Sequence, residues 1–242
     1  MADEKKAPKI VDKAPEFDLQ DLLEAGCHFG HKASKWHPKM AEFIYGEKDG
    51  IHLFDLAKTA EQLKTAYNMV YNLAKEGKTF LMVGTKRQAK DIIREAANDA
   101  GCFYINSRWM GGMLTNWQQI SKSIKRMTDI REGLKTGKFD KYTKYERLQL
   151  DKEQAKLARF FEGLKGMTSK PDCIFVVDPG KEDIVVTEAN NVDVPVIALI
   201  DSNTDPRPVT LSIPANDDAV KSIKYIVDAV AAAYKAGVAD KK

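Results

Sequence analysis

The chain has 242 residues, enough for one substantial core, and its 43% hydrophobic and 30% charged residues fit a soluble globular domain. No run approaches the roughly 18 consecutive apolar residues a membrane span needs, and the opening Met1-Ala2-Asp3-Glu4-Lys5-Lys6 lacks an apolar signal core, so neither secretion nor a membrane is expected. The net charge of +3 is uneven: residues 119–170 carry 14 Lys+Arg against 7 Asp+Glu, a net of +7 that leaves −4 for the rest, which points to a localised anionic partner.

Residues 1–16, rich in Lys, Ala, Pro and acids, are expected to be a flexible tail. A short amphipathic helix follows over 18–25, with Leu19, Leu22 and Leu23 on one face. Next comes Cys27-His28-Phe29-Gly30-His31-Lys32-Ala33-Ser34-Lys35-Trp36-His37-Pro38-Lys39. Cys27, His28 and His31 are weak candidates for a metal, because a closed structural site needs four ligands and no second pair is visible. A turn packed against the sheet is the favoured reading, with Lys32, Lys35, Trp36, His37 and Lys39 facing a polyanion. Phe43-Ile44-Tyr45 and Ile51-His52-Leu53-Phe54 flank a turn and predict a hairpin. Asp55 then caps a helix that runs to Gly77.

From residue 79 the pattern alternates. Strands are predicted over 79–83, 102–105, 173–177, 196–200 and 209–213, with helices over 86–98, 182–190 and 216–236, the last opened by the acidic Asn216-Asp217-Asp218. Continuous apolar strands separated by helices predict a parallel five-stranded sheet covered on both faces, a doubly wound α/β domain. The connection between the second and third strands is several times longer than a crossover helix needs. Its apolar stripes, Ile120, Ile124, Met127, Ile130, Leu134 and then Leu150, Leu157, Phe161, Leu164, predict two antiparallel helices forming an inserted coiled-coil hairpin over 119–168. The sheet domain is thereby assigned to 17–118 and 169–238. The two stripes are expected to bury mainly against each other, leaving the sheet domain able to fold alone.

Nucleotide-enzyme signatures are absent: no GxGxxG follows the first strand and no GxxxxGK[ST] occurs. Gly84-Thr85-Lys86-Arg87 reads first as an ordinary strand-to-helix turn with exposed cations; the alternative is that its amides, with Lys86 and Arg87, hold one phosphate of a nucleic acid backbone. The three cysteines, Cys27, Cys102 and Cys173, are far apart and odd in number, as in a reduced cytoplasmic protein. The run Ser107-Arg108-Trp109-Met110-Gly111-Gly112-Met113-Leu114-Thr115-Asn116-Trp117 contains no acid, and Arg108, Asn116, Trp117, Lys122, Lys125 and Arg126 combine cations with an aromatic where the second strand gives way to the insertion. Cations supply phosphate affinity and aromatic planes stack on unpaired bases, so RNA is the expected partner.

Four blocks in order carry a resemblance: residues 22–31, Phe80-Leu81-Met82-Val83-Gly84-Thr85-Lys86-Arg87, residues 106–117, and residues 171–178 with Glu188-Ala189-Asn190-Asn191. They closely resemble the family of ribosomal protein two of the bacterial small subunit. The resemblance implies a flavodoxin-like fold with an inserted coiled-coil hairpin and binding to small-subunit rRNA near the junction of head and body. It further implies no catalysis, no cofactor and no homo-oligomer in the working state. Neighbouring small-subunit proteins, including ribosomal protein one, whose docking it would support, are the implied protein partners. The competing reading is a flavin- or sugar-phosphate-binding enzyme on the same fold, its ligand near Thr85 and Asp178 at the switch point between the first and third strands.

Overall fold

The computed structural model describes residues 12–241. Most of the expected tail, residues 1–11, lies outside them; residues 12–14 are fixed. Asn68, buried in the second helix, accepts from the amides of Lys13 and Ala14 at 2.9 and 3.0 Å and donates to Asp12 at 3.0 Å.

Helix α1 (Leu19–Glu24) is capped by the Asp18 carboxylate, which accepts from the Gln20 amide. A small antiparallel sheet follows, β1 (Phe29–Lys32), β2 (Ile44–Lys48) and β3 (Ile51–Phe54), in the order β1-β3-β2. The hairpin β2–β3 is the predicted one; β1, which pairs with β3, occupies part of what was expected to be a turn. Asp55 caps α2 (Leu56–Lys75) as expected.

The main sheet contains β4 (Phe80–Val83), β5 (Phe103–Ile105), β6 (Cys173–Val177), β7 (Val196–Ile200) and β8 (Leu211–Pro214), all parallel, in the order β5-β4-β6-β7-β8. Counted along the chain this is 2-1-3-4-5, the order of flavodoxin-like sheets. The helices between and after these strands are α3 (Lys90–Ala100), α4 (Trp117–Lys135), α5 (Lys144–Phe161), α6 (Asp183–Asn191) and α7 (Val220–Ala239).

Alternation along each strand divides the interior into two cores. Phe80, Met82, Cys173, Phe175, Val177, Ile197 and Leu199 face α2, α3 and α7. Leu81, Val83, Ile105, Ile174, Val176 and Val196 face the opposite side. There they meet Val185, Val186 and Ala189 of α6, but also Ile120, Ile124 and Met127 of α4 and Phe161, Leu164 and Met167 beyond the middle of α5. The inner parts of the two stripes therefore share the second core with the sheet, while α4 and α5 also pack along each other. The insertion roofs one face of the sheet, in the position a crossover helix would occupy. The outer half of α5 buries little, and Leu148 is about half exposed. All three cysteines are unpaired and buried, and burial pushes the Cys102 and Cys173 thiols up to about 12.

Two helix starts differ from the sequence reading. Residues 86–89 form a turn before α3, and α7 begins at Val220 because the Asn216 side chain accepts from the amides of Asp218 and Ala219, holding residues 216–219 in a turn. Asp217 and Asp218 are thus freed from the helix for another role.

Excising residues 119–168 in favour of a short Gly/Ser linker removes six large side chains from the second core: Ile120, Ile124, Met127, Phe161, Leu164 and Met167. At about 1.5–3 kcal/mol each, the loss rivals the roughly 5–15 kcal/mol of a whole domain. The excised chain is expected to lose its cooperative thermal transition in calorimetry; a sharp transition close to that of the intact chain would contradict the shared core.

Candidate nucleic-acid interface

Residues 107–117 owe their shape to a single buried acid. Glu188, on α6, is 7% exposed and sits under the loop. Its Oε1 accepts from the Gly112 amide at 2.7 Å and the Trp109 indole at 3.3 Å. Oε2 accepts from the Leu114 amide at 3.0 Å, the Thr115 amide at 3.3 Å and the Thr115 hydroxyl at 3.2 Å. Gly112 turns the chain with φ +90°, a region that L side chains avoid, and so lets the amides on both sides of it point inward. Burial alone would raise the Glu188 pKa; the amides of Leu114, Gly112 and Thr115 overcome it and hold the carboxyl below its ordinary range.

With the polar groups of the loop turned inward, its cation faces out. Arg108 is exposed, while Trp109 is buried at 5%. Asn116 is exposed at the start of α4 and makes no capping bond. Trp117 is half-buried and packs against the second core, so only part of its ring is open to a base. On α4, Lys122 and Lys125 are exposed i, i+3 neighbours that join no ion pair among the described residues. Arg126, expected to stand with them, instead forms a two-point pair with Glu153 of α5, at 3.0 and 2.9 Å. Its charge is already answered within the protein.

The other predicted cluster lies on the small sheet. Lys32, Lys35 and Lys39 are exposed, and Trp36, 38% exposed, stacks on His52 with ring centres 5.1 Å apart. The His37 amide donates to the Ser202 carbonyl at 2.7 Å, tying this segment to the end of β7. The His37 ring accepts from the Lys39 amide at 3.3 Å and lies 3.9 Å from Asp205.

Lys86 and Arg87 part company. Arg87 is exposed, but the Lys86 ammonium turns inward to Asp178 and Asp217, both at 2.8 Å, and to Asp218 at 3.0 Å. Burial would lower its pKa, and the carboxylates of Asp217 and Asp178 more than reverse this. Lys86 is thus a structural counter-ion, which corrects the expectation of a phosphate contact there. Beside it, His31 Nδ1 lies 2.9 Å from Asp201 and Nε2 lies 3.5 Å from Asp218. Thr85 donates to Glu182, whose pKa burial raises.

These acids gather at the carboxyl ends of β4, β6, β7 and β8, where a flavodoxin-like enzyme binds its ligand. Asp178, Glu182, Asp201, Asp217 and Asp218 outnumber Lys86 and His31, so a flavin or sugar phosphate would enter a field of its own sign. Among the described residues the group suited to a metal ion is His31, Asp201 and Asp217, whose ligand atoms lie within 4.8 Å of one another. Cys27 and His28 do not join it. The Cys27 sulfur accepts from the Ser222 hydroxyl at 3.3 Å in the core, and the His28 ring lies tilted by 41° against Phe29 with ring centres 3.9 Å apart. The carboxyl partners come from residues 201–218, remote in sequence from the histidines, and Glu188 lies 73 to 79 residues from its loop. No local spacing could have paired them.

Burial, with Asp201 and Asp178 close by, pushes Asp217 up to about 7, and the hydrogen bond that His31 donates to the Asp201 carboxylate raises His31. Both groups bind protons more tightly folded than unfolded, so stability falls as pH rises through their folded pKa values. The melting-temperature contribution of Asp217 should therefore decline from about pH 4, where the unfolded carboxyl ionises, to about pH 7, and Asp217→Asn should flatten that decline. A variant with the wild-type slope in a thermal-shift series would contradict the assignment of the strain to Asp217.

A model of the ribosomal protein S2 family matches residues 22–237. The chain is 47% identical to the small ribosomal subunit protein uS2 of Dictyoglomus thermophilum over 219 residues, 90% of this chain and 89% of that protein. To the protein of the same name from Brucella ovis it is 47% identical over 225 residues, 93% and 88% of the two chains. The match to the Bradyrhizobium sp. (strain ORS 278) protein is 46% over 224 residues, 93% of this chain and 68% of that one. With a parallel sheet in 2-1-3-4-5 order, a long helical insertion after its second strand and a family match over most of its length, this chain belongs to the ribosomal protein S2 family.

Proposed function

We propose that the chain is a structural, non-catalytic protein of the small ribosomal subunit that works in the cytoplasm and binds small-subunit rRNA through exposed cations on two surfaces. One comprises Lys32, Lys35, Trp36, His37 and Lys39. The other comprises Arg108, Asn116, Lys122 and Lys125, with the open part of Trp117; Arg87 stands as a separate phosphate contact. The observation that carries this reading is the division of charge: the acids at the strand ends are gathered around Lys86 and His31, whereas Lys122 and Lys125 project from the segment 119–170, of net charge +7. A surface of lysines supported by a folded core suits a phosphate backbone, where affinity comes from counter-ion release.

The finer parts of the proposal follow the family resemblance. They are a place near the junction of head and body, support for docking of ribosomal protein one, work as a single copy, and the outer part of α4 and α5 as an antiparallel coiled-coil arm. The Arg126–Glu153 pair joins the two helices across that arm.

Lys122→Gln with Lys125→Gln should leave stability within about 0.5 kcal/mol, since both side chains are exposed. The double variant should nonetheless lose to the wild-type chain when the two compete for incorporation into small subunits. Wild-type affinity for purified small-subunit rRNA should fall steeply between about 50 and 200 mM salt. A flat salt response, or equal incorporation of the variant, would overturn the electrostatic basis of the reading.

A further inference from the structure

The end of the insertion farthest from the sheet carries a surface that the reading above does not use. Tyr145 is 70% exposed, Tyr142 48% and Leu148 49%, an unusual density of large apolar groups on a helix of otherwise polar surface. They do not hang from a loose loop. The ring of Phe139 lies so close over Gly133, near the end of α4, that any side chain at that position would collide with it. Tyr142 packs on Phe139 with ring centres 5.3 Å apart. Thr143 and Glu146 form a reciprocal cap, the Thr143 amide donating to Glu146 at 2.9 Å and the Glu146 amide to the Thr143 hydroxyl at 3.3 Å. Tyr145 is therefore held on the first turn of α5, at the rim of a groove of about 680 Å³ lined by Leu134, Lys144, Tyr145, Arg147, Leu148 and Asp151.

The charges around it select the occupant. Asp140 pairs with Arg147 at 3.3 Å, and Glu146 is engaged in the cap. Lys135, Lys138, Lys141 and Lys144 join no ion pair among the described residues. Lys144, in the first turn of α5, adds to the positive end of the helix dipole where an acid would be the stabilising choice. An aromatic plane bordered by unanswered lysines, with Asp140 and Glu146 already used and Asp151 the single lining acid of the groove, carries a net positive charge that suits a polyanion with flat apolar groups.

We propose that this tip is a further RNA-contact site, in which an unpaired base stacks on Tyr145 while Lys138, Lys141 and Lys144 hold the neighbouring phosphates. The inference rests on the RNA-binding reading of the preceding subsection and adds a site to it. Stacking on an aromatic side chain is tolerant of base identity, so the site would contribute affinity and orientation more than sequence choice.

The test uses the full chain and purified small-subunit rRNA. Tyr145→Ala should weaken binding about tenfold, the scale of one stacked base, whereas Tyr145→Phe should stay within about twofold because the ring is what stacks. Lys141→Gln with Lys144→Gln should weaken binding and reduce its salt dependence. All variants should melt with the wild type, since the substituted side chains are exposed. Wild-type affinity for Tyr145→Ala would overturn the site. If that variant bound rRNA normally but lost the competition for incorporation into subunits, the tip would be a protein-docking surface and the RNA proposal would be refuted. Failure of the wild-type chain to bind rRNA at all would instead remove the reading on which the site rests.

Discussion

A carboxylate with five donors around it is the constraint on which the cation-bearing side of this protein depends. Glu188 supplies almost no surface, yet three backbone amides, an indole and a hydroxyl of residues 109–115 converge on it. An ionised acid is costly to bury alone and inexpensive when its lone pairs are all used, so loop and helix stabilise each other. The consequences run outward. Trp109, Met113 and Leu114 join the second core, the chain enters α4 at a fixed point, and Ile120, Ile124 and Met127 fall on the sheet. The lysines on the remaining side of α4 are left to solvent.

The same logic governs the strand ends, with the signs exchanged. There a lysine is the buried counter-ion and the acids surround it, which engages Lys86 with three carboxylates and gives the switch point of the sheet a negative field. A fold that in other settings offers this crevice to a phosphorylated ligand here closes it with carboxylates. Its cations are displayed on β1 and the turns after it, on the loop before α4 and along the insertion. Fold alone would have suggested an enzyme; the disposition of charge argues for a scaffold.

Much of this was legible in the sequence. The strands of the main sheet were readable because buried parallel strands are continuous apolar runs, and α2 because Asp55 and Gly77 mark its ends. The helical stripes of the insertion were legible too, but not what they pack against: an apolar stripe looks the same whether it meets a partner helix or a sheet. β1 was missed because Phe29-Gly30-His31-Lys32 is short, polar in part and paired with a strand twenty residues away. Among the site residues, exposure of Lys32, Lys35, Lys39, Arg108, Lys122 and Lys125 followed from their chemistry. The engagement of Lys86 with Asp178 and Asp217, of Arg126 with Glu153, and of the loop with Glu188 depends on residues 27 to 131 positions apart, which no local pattern encodes.

Replacing Glu188 by Gln tests this account most directly, because it keeps the shape of the side chain and removes one of two acceptor oxygens together with the charge. Hydrogen exchange at Gly112, Leu114 and Thr115, followed beside incorporation into small subunits, reads both ends of the argument. The account predicts that these amides exchange faster, that the protein loses about 1–3 kcal/mol of stability as buried donors lose their acceptor, and that incorporation falls although no surface cation has changed. Wild-type protection of the three amides, with incorporation undiminished, would contradict it.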